Sequence, residues 1–195
     1  MNDAASSAAE SPDPSRAWVE SMGGPLIVVP VSRLASWGGC TESGMVIGDT
    51  DTADDYDRAC QVEGFAGLIP IDDEGAQALV LADEPARTYY LPEHRAFLRW
   101  FAAVSEEDLI AAAEAVLAGP ASEWEVCGTW ETDGPAVLMD SVTAGADLNV
   151  EYPGGGLPEQ AAVPLPVGKW TVRAVHAQTN ERASLGLVQL LPAGT

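Results

Sequence analysis

The chain has 195 residues, 47% of them hydrophobic, which suits one domain or two small packed ones and a core that needs no covalent staples. Thirty Asp and Glu oppose nine Lys and Arg, a formal charge of −21 at pH 7. A surface of that sign repels phosphate backbones and anionic lipid and attracts basic proteins and cations, so no nucleic-acid or membrane partner is expected.

The first 16 residues, MNDAASSAAESPDPSR, carry neither a basic n-region nor an apolar h-region, so they read as a disordered tail rather than a secretion signal. Order is expected from Trp18. WVES and PLIVVPV predict a short strand, a Gly turn and a strand that is apolar on both alternating sets, hence covered on both faces. SWGGC predicts a turn around Trp37. A short amphipathic helix is predicted near 53–62, opened by Thr52 and Asp55 and closed by Gly64, with Tyr56, Ala59 and Cys60 on its inner face. Strands follow at 65–71, 77–83 and 87–92, and AFLRWFAA at 96–103 is read as a strand despite its alanines.

SEEDLIAAAEAVLAGP gives the clearest helix. Ser105 is its N-cap, and Glu106, Glu107 and Asp108 complement the positive end of its dipole. Leu109, Ile110, Ala113, Val116 and Leu117 form one stripe, and Gly119-Pro120 ends it. Strands are predicted at 123–130, 134–142, 169–178 and 184–191, with QTNERA as a hairpin turn and residues 149–168 as one long Pro/Gly-rich connection. The expected class is α+β, mostly antiparallel β. Two β-rich halves are linked by the well-capped helix, in a single domain over 17–192 divisible into 17–103 and 124–192. WVESMGGPLIVV echoes WETDGPAVLM, as two related halves would, or as two ordinary hairpins would.

Catalytic signatures fail one by one. Cys40, Cys60 and Cys127 are widely spaced without a CxxC, which fits reduced thiols in a cytoplasmic protein; Cys60 and Cys127 look like core positions. His94 and His176 lie far from each other and from the cysteines, so no zinc ligand set forms in sequence. Counted from Asp49, an EF-hand register puts Ala53, Asp54 and Cys60 where an oxygen ligand, Gly and Glu are needed. GxSxG, HExxH and the P-loop pattern are absent. No cofactor or metal is expected, and the chain is read as a non-enzyme. The alternatives are an enzyme using Cys or carboxylate chemistry and an acidic scaffold or regulatory domain.

The charge is unevenly spread. Glu42 to Glu74 holds ten acids and one base, Arg58; Trp100 to Gly168 holds twelve acids and no Lys or Arg. Within DTDTADDYDRAC (49–60), capping explains Asp54 and Asp55, whereas Asp49, Asp51 and Asp57 have no such role. Asp49, Asp51, Asp54 and Asp57 are therefore the expected partner-binding acids, with Trp37 in its Gly-rich turn as an aromatic anchor.

WVESMGGPLIVVP with Trp37-Gly38, then DYDRAC, GLIPI, ALVLADEPARTYYLPE and FLRW, resembles the immunity protein 21 family of bacterial polymorphic toxin systems. GPAVLMDSV and LPVGKWTVRA are compatible with it, so the resemblance spans about residues 17 to 192. It implies a protein that binds a cognate toxin, expected to present a basic surface, inside the producing cell and blocks it. No inhibitory residue is carried over with the resemblance.

Overall fold

The run Leu26–Pro30 forms a strand, β2, in which all five residues are buried. In the computed structural model, which describes residues 16–41, 53–82, 84–120, 123–179 and 183–194, β2 lies at the middle of a five-stranded sheet. Leu26 and Val28 face one apolar cluster and Ile27 and Val29 another, which is why both alternating sets are apolar. Residues 1–15, most of the expected tail, lie outside the described residues, as do Asp49, Asp51 and Thr52.

The remaining strands are β1 (Trp18–Val19), β3 (Gly67–Pro70), β4 (Gln77–Leu81), β5 (Thr88–Leu91), β6 (Ala96–Ala103), β7 (Glu125–Thr132), β8 (Ala136–Asp140), β9 (Gln160–Val163), β10 (Gly168–Thr179) and β11 (Ala183–Pro192). Two α-helices, α1 (Asp55–Cys60) and α2 (Glu106–Leu117), and short 3-10 helices at Val31–Ser36 and Gly145–Asp147 complete the elements used below. One sheet has the order β1-β5-β6-β11-β10-β7 and the other β3-β4-β2-β8-β9, with antiparallel pairing throughout. The fold is thus α+β and mostly antiparallel β.

Three apolar layers hold the sheets. The central one, with Phe97, Trp130, Trp170, Leu79 and Leu138, lies between them. The outer face of the six-stranded sheet packs Leu98, Leu185 and Leu187 against Leu109 and Ala113 of α2. The outer face of the five-stranded sheet is covered by Trp37, Ala59 and Leu148 from the connections around the 3-10 helices and α1.

The order of strands is symmetric between the two halves of the chain. Exchanging β1, β5 and β6 with β7, β10 and β11 leaves the six-stranded sheet unchanged, and exchanging β2 with β8 does the same at the middle of the other. A constant step along the chain takes Leu26 to Ala136, Val28 to Leu138 and Pro30 to Asp140. The register pairs Leu26 with Asp140, Val28 with Leu138 and Pro30 with Ala136, so the pairing is symmetric about Val28–Leu138. The flanking bonds match: Val31 N–H donates to Pro135 O at 2.9 Å, and Ser141 N–H donates to Pro25 O at 3.3 Å. The two halves are related in topology, and each sheet takes strands from both.

Helix α2 begins as expected, with Ser105 Oγ accepting from Asp108 N–H at 3.1 Å. Its first-turn Glu106 is buried and accepts from Arg16 Nη1 at 2.7 Å and Trp18 Nε1 at 3.1 Å. Buried Arg99 on β6 donates to the carbonyls of Ala82 and Glu84, closing the end of β4. Residues 149–168, expected as connection alone, contain β9, whose QAAV alternates exposed and buried positions.

The two 3-10 helices cross closely enough that a Cβ on Gly145 would lie 2.0 Å from Leu34 O, which is backbone and has no rotamer to yield. Gly145→Ala is expected to destabilise the fold by about 1–3 kcal/mol through this overpacking, read as a lower denaturation midpoint with unchanged slope.

Candidate functional site

The acidic stretch singled out in the sequence folds into the cover of the five-stranded sheet. Helix α1 starts at Asp54, not Thr52, and runs over Asp55–Cys60 rather than 53–62. Its cap is reciprocal: Asp54 Oδ1 accepts from Asp57 N–H at 2.9 Å, and Asp57 Oδ2 accepts from Asp54 N–H at 3.2 Å. Asp57 thus has a structural task that its spacing from Thr52 concealed.

These carboxylates also fasten α1 to the segment before it. Thr41 N–H donates to Asp54 Oδ2 at 2.6 Å and Thr41 Oγ1 at 3.1 Å. Gly38 N–H donates to Asp55 Oδ2 at 2.7 Å, while Asp55 also pairs with Arg58, which reaches Pro70 O at 2.6 Å. Partial burial works against the Asp54 carboxylate. The donors from Thr41, Asp57 and Tyr56 outweigh it and hold Asp54 below the ordinary carboxylate range.

Trp37 is not an exposed anchor. It is 1% exposed, packs with Ile27, Val29 and Leu148, and donates its indole N–H to Ser141 O at 3.1 Å. Burying its large ring needs segment 141–145, which is distant in sequence and near in space. Its own carbonyl accepts from Gly145 N–H at 2.9 Å. Of the expected site residues, Asp54 and Asp57 therefore sit together on α1, Trp37 lies beneath the surface, and Asp49 and Asp51 are outside the described residues.

The thiols and imidazoles occupy separate surroundings. Cys60, expected in the core, is exposed at the end of α1, while Cys127 packs against the central layer. Partial burial pushes the Cys40 and Cys127 thiols up, reinforced by the charges of Asp54 and Asp57 near Cys40 and of Glu125 near Cys127. Such groups stay protonated and are weak nucleophiles. Its interaction with Cys60, together with burial, raises the Tyr56 hydroxyl to about 12. His94 contacts the Glu114 carboxylate at 3.0 Å, and His176 stacks on Phe65 with centroids 4.0 Å apart and meets Phe101 edge-on. Among the described residues, no group of three or more His, Cys, Asp or Glu is placed to hold a metal ion.

An open groove of about 490 Å³ lies beside the α1 attachment, between Met22, Gly38, Cys40, Val142–Asp147 and the 150–158 loop. Buried Asp140 ties two of its walls together, accepting from Met22 N–H at 2.5 Å and Val142 N–H at 3.1 Å. Burial raises the Asp140 pKa, and the two donors oppose that rise. The loop is built rather than loose: Tyr152 N–H donates to Gly156 O at 2.9 Å, and Gly155 N–H donates to Tyr152 O at 2.8 Å. Gly155 and Gly156 take φ of 90° and 86°, where glycine is at no disadvantage. Sequence reasoning passed over this loop because its Pro and Gly content marks a connection. Val150, Tyr152 and Leu157, large apolar side chains among the prolines and glycines of this loop, were the available signal.

Asp54→Ala is expected to lower stability at pH 7 by about 1–2 kcal/mol through loss of the cap. Because the folded pKa is depressed, the wild-type advantage is present above the ordinary carboxylate pKa. It fades as pH falls through the lowered value, so melting temperatures measured down the pH scale converge.

No curated protein and no solved structure matches this chain. The family model described as Immunity protein 21 matches residues 17–183, from the first strand of the fold to the start of its last. The chain belongs to the immunity protein 21 family.

Proposed function

We propose that the protein binds a cognate bacterial toxin in the cytoplasm of the cell that makes both, and neutralises it without catalysis through a negatively charged surface. Family membership over residues 17–183 is the observation that carries this reading, because the family is one of immunity proteins. The toxin surface it meets is basic. A toxin that acts on nucleic acid needs such a surface to hold phosphates, and carboxylates on a rigid frame then compete for it.

The fate of the basic side chains supports the same reading. Arg16 pairs with Glu106, Arg33 with Asp72 and Glu74, Arg58 with Asp55, and Lys169 with Glu131. Arg87 lies over Trp18 and Trp100, Arg95 over Trp170 and Arg173 over Trp124, with cation–centroid distances of 4.7, 5.2, 5.6 and 4.2 Å. The cations among the described residues are thus engaged within the fold, while thirty carboxylates against nine bases set the sign of the field outside it. Asp54 and Asp57 contribute to that field from α1, and Asp49 and Asp51 add their charge to the total.

Co-expression with the toxin encoded beside it tests the function. The expected result is restored growth and a complex of the two proteins; continued killing at matched expression sinks the reading. Within a working pair, the association rate should fall about tenfold or more between low and high salt. A rate indifferent to salt leaves immunity standing and removes the acidic surface from recognition.

A further inference from the structure

Four exposed large apolar side chains gather at one place. Met22 is 73% exposed, Val150 56%, Leu157 55% and Tyr152 38%. Met22, Val150 and Tyr152 line the groove, with Tyr152 Oη 3.9 Å from Met22 Sδ, and Leu157 adjoins it beside Pro158. The other exposed large apolar side chains, Val31, Val104, Val126 and Val167, come from other segments of the chain. An apolar patch rimmed by polar groups needs an explanation, since leaving it in water forgoes the stabilisation that burial gives.

The charge of the rim narrows the occupant. Asp147 and Glu151 line the groove, and among the described residues no Lys or Arg does. Asp54 stands next door, bonded to Thr41 beside Cys40. Phosphates are repelled by this rim, and a second copy of a chain with charge −21 meets its own sign. A guanidinium or ammonium group carried among apolar side chains matches both features. Its charge meets the carboxylates, its stem lies on Met22 and Val150, and its flat or rounded head can rest on the Tyr152 ring.

The frame of the groove is already in place. Asp140 ties the Met22 turn to Val142, Cys40 N–H donates to Val142 O at 2.9 Å, and Gln160 Nε2 donates to Leu148 O at 3.0 Å. Glu159 Oε2 accepts from Glu20 N–H at 2.7 Å and anchors the far end of the loop. A preformed site loses little freedom on binding. Segment 37–41 of this groove comes from the first half of the chain and the 150–158 loop from the second.

We propose that this groove is the toxin-docking surface and takes an arginine- or lysine-bearing loop of the toxin flanked by apolar side chains. The proposal rests on the immunity reading above and places its contact. The probe is the catalytically inactivated toxin domain encoded beside this chain, with affinity measured by calorimetry against the full-length protein. Tyr152→Ala and the double change Asp147→Lys with Glu151→Lys should each weaken binding about tenfold or more, as a hot spot does. Glu107→Lys, exposed on α2 against the opposite sheet, should change it less than about twofold.

Melting curves check folding, and the charge variant serves if Tyr152→Ala does not fold. Wild-type affinity in the folded groove variants, or equal weakening by Glu107→Lys, overturns the groove while the immunity reading stands. Absence of wild-type binding overturns both. A concentration-dependent dimer abolished by Tyr152→Ala assigns the groove to a second copy and also overturns the proposal.

Discussion

The pairing of β2 with β8 is the contact through which the two halves of the chain become one body. Both strands are covered on both faces, and Val28 and Leu138, paired at the centre, have no exposed surface. Hydrogen bonds from Val31 and Ser141 to the carbonyls of Pro135 and Pro25 extend the same symmetry past the strand ends. Close packing in such a place leaves little room for compensation, because every atom removed from the pair leaves a void that the surrounding layers cannot fill. The 3-10 helices, Trp37 and the Asp140 clamp all lie at the ends of this pair. The site inherits its geometry from them.

Acidity serves two separate purposes in this molecule. On α1 the carboxylates are working parts of the fold: Asp54 and Asp57 cap each other, and Asp54 and Asp55 hold segment 38–41. Asp140 does similar work beneath the groove, and Glu106 secures Arg16 and Trp18 against α2. Asp147 and Glu151 instead border a concave, partly apolar surface. A linear count of acids ranks the first group highest because it is dense in sequence, whereas the groove proposed above to receive the toxin is bordered by the second.

Much of the frame was readable because local pattern and tertiary demand agreed. PLIVVPV is apolar at every second position in both sets, and burial on two faces is the one setting that suits it. Ser105 with its acidic first turn announces α2, and AFLRWFAA forms a strand over its full length once β5 and β11 flank it. The cap of α1 was misread because Thr52–Asp55 and Asp54–Asp57 offer the same spacing. Backbone donors from Gly38 and Thr41 decide between them, and these are visible only in three dimensions. Trp37 looked exposed because its neighbours are glycines, and the segment that buries it comes from beyond α2. Strand β9 is four residues long and half alanine, too weak a signal to stand out within a Pro/Gly-rich stretch.

The symmetric exchange of strands has a consequence for how the protein is made. While the first half alone has left the ribosome, β2 lacks β8 and β6 lacks β11, so each sheet ends in a bare, strongly apolar edge of the kind that invites aggregation. Contacts that close so much of the sequence form late, because the loop must be ordered before they reward it. The β2 edge can be covered as soon as β8 is free to dock, whereas the β6 edge waits for β11, more than forty residues further along the chain.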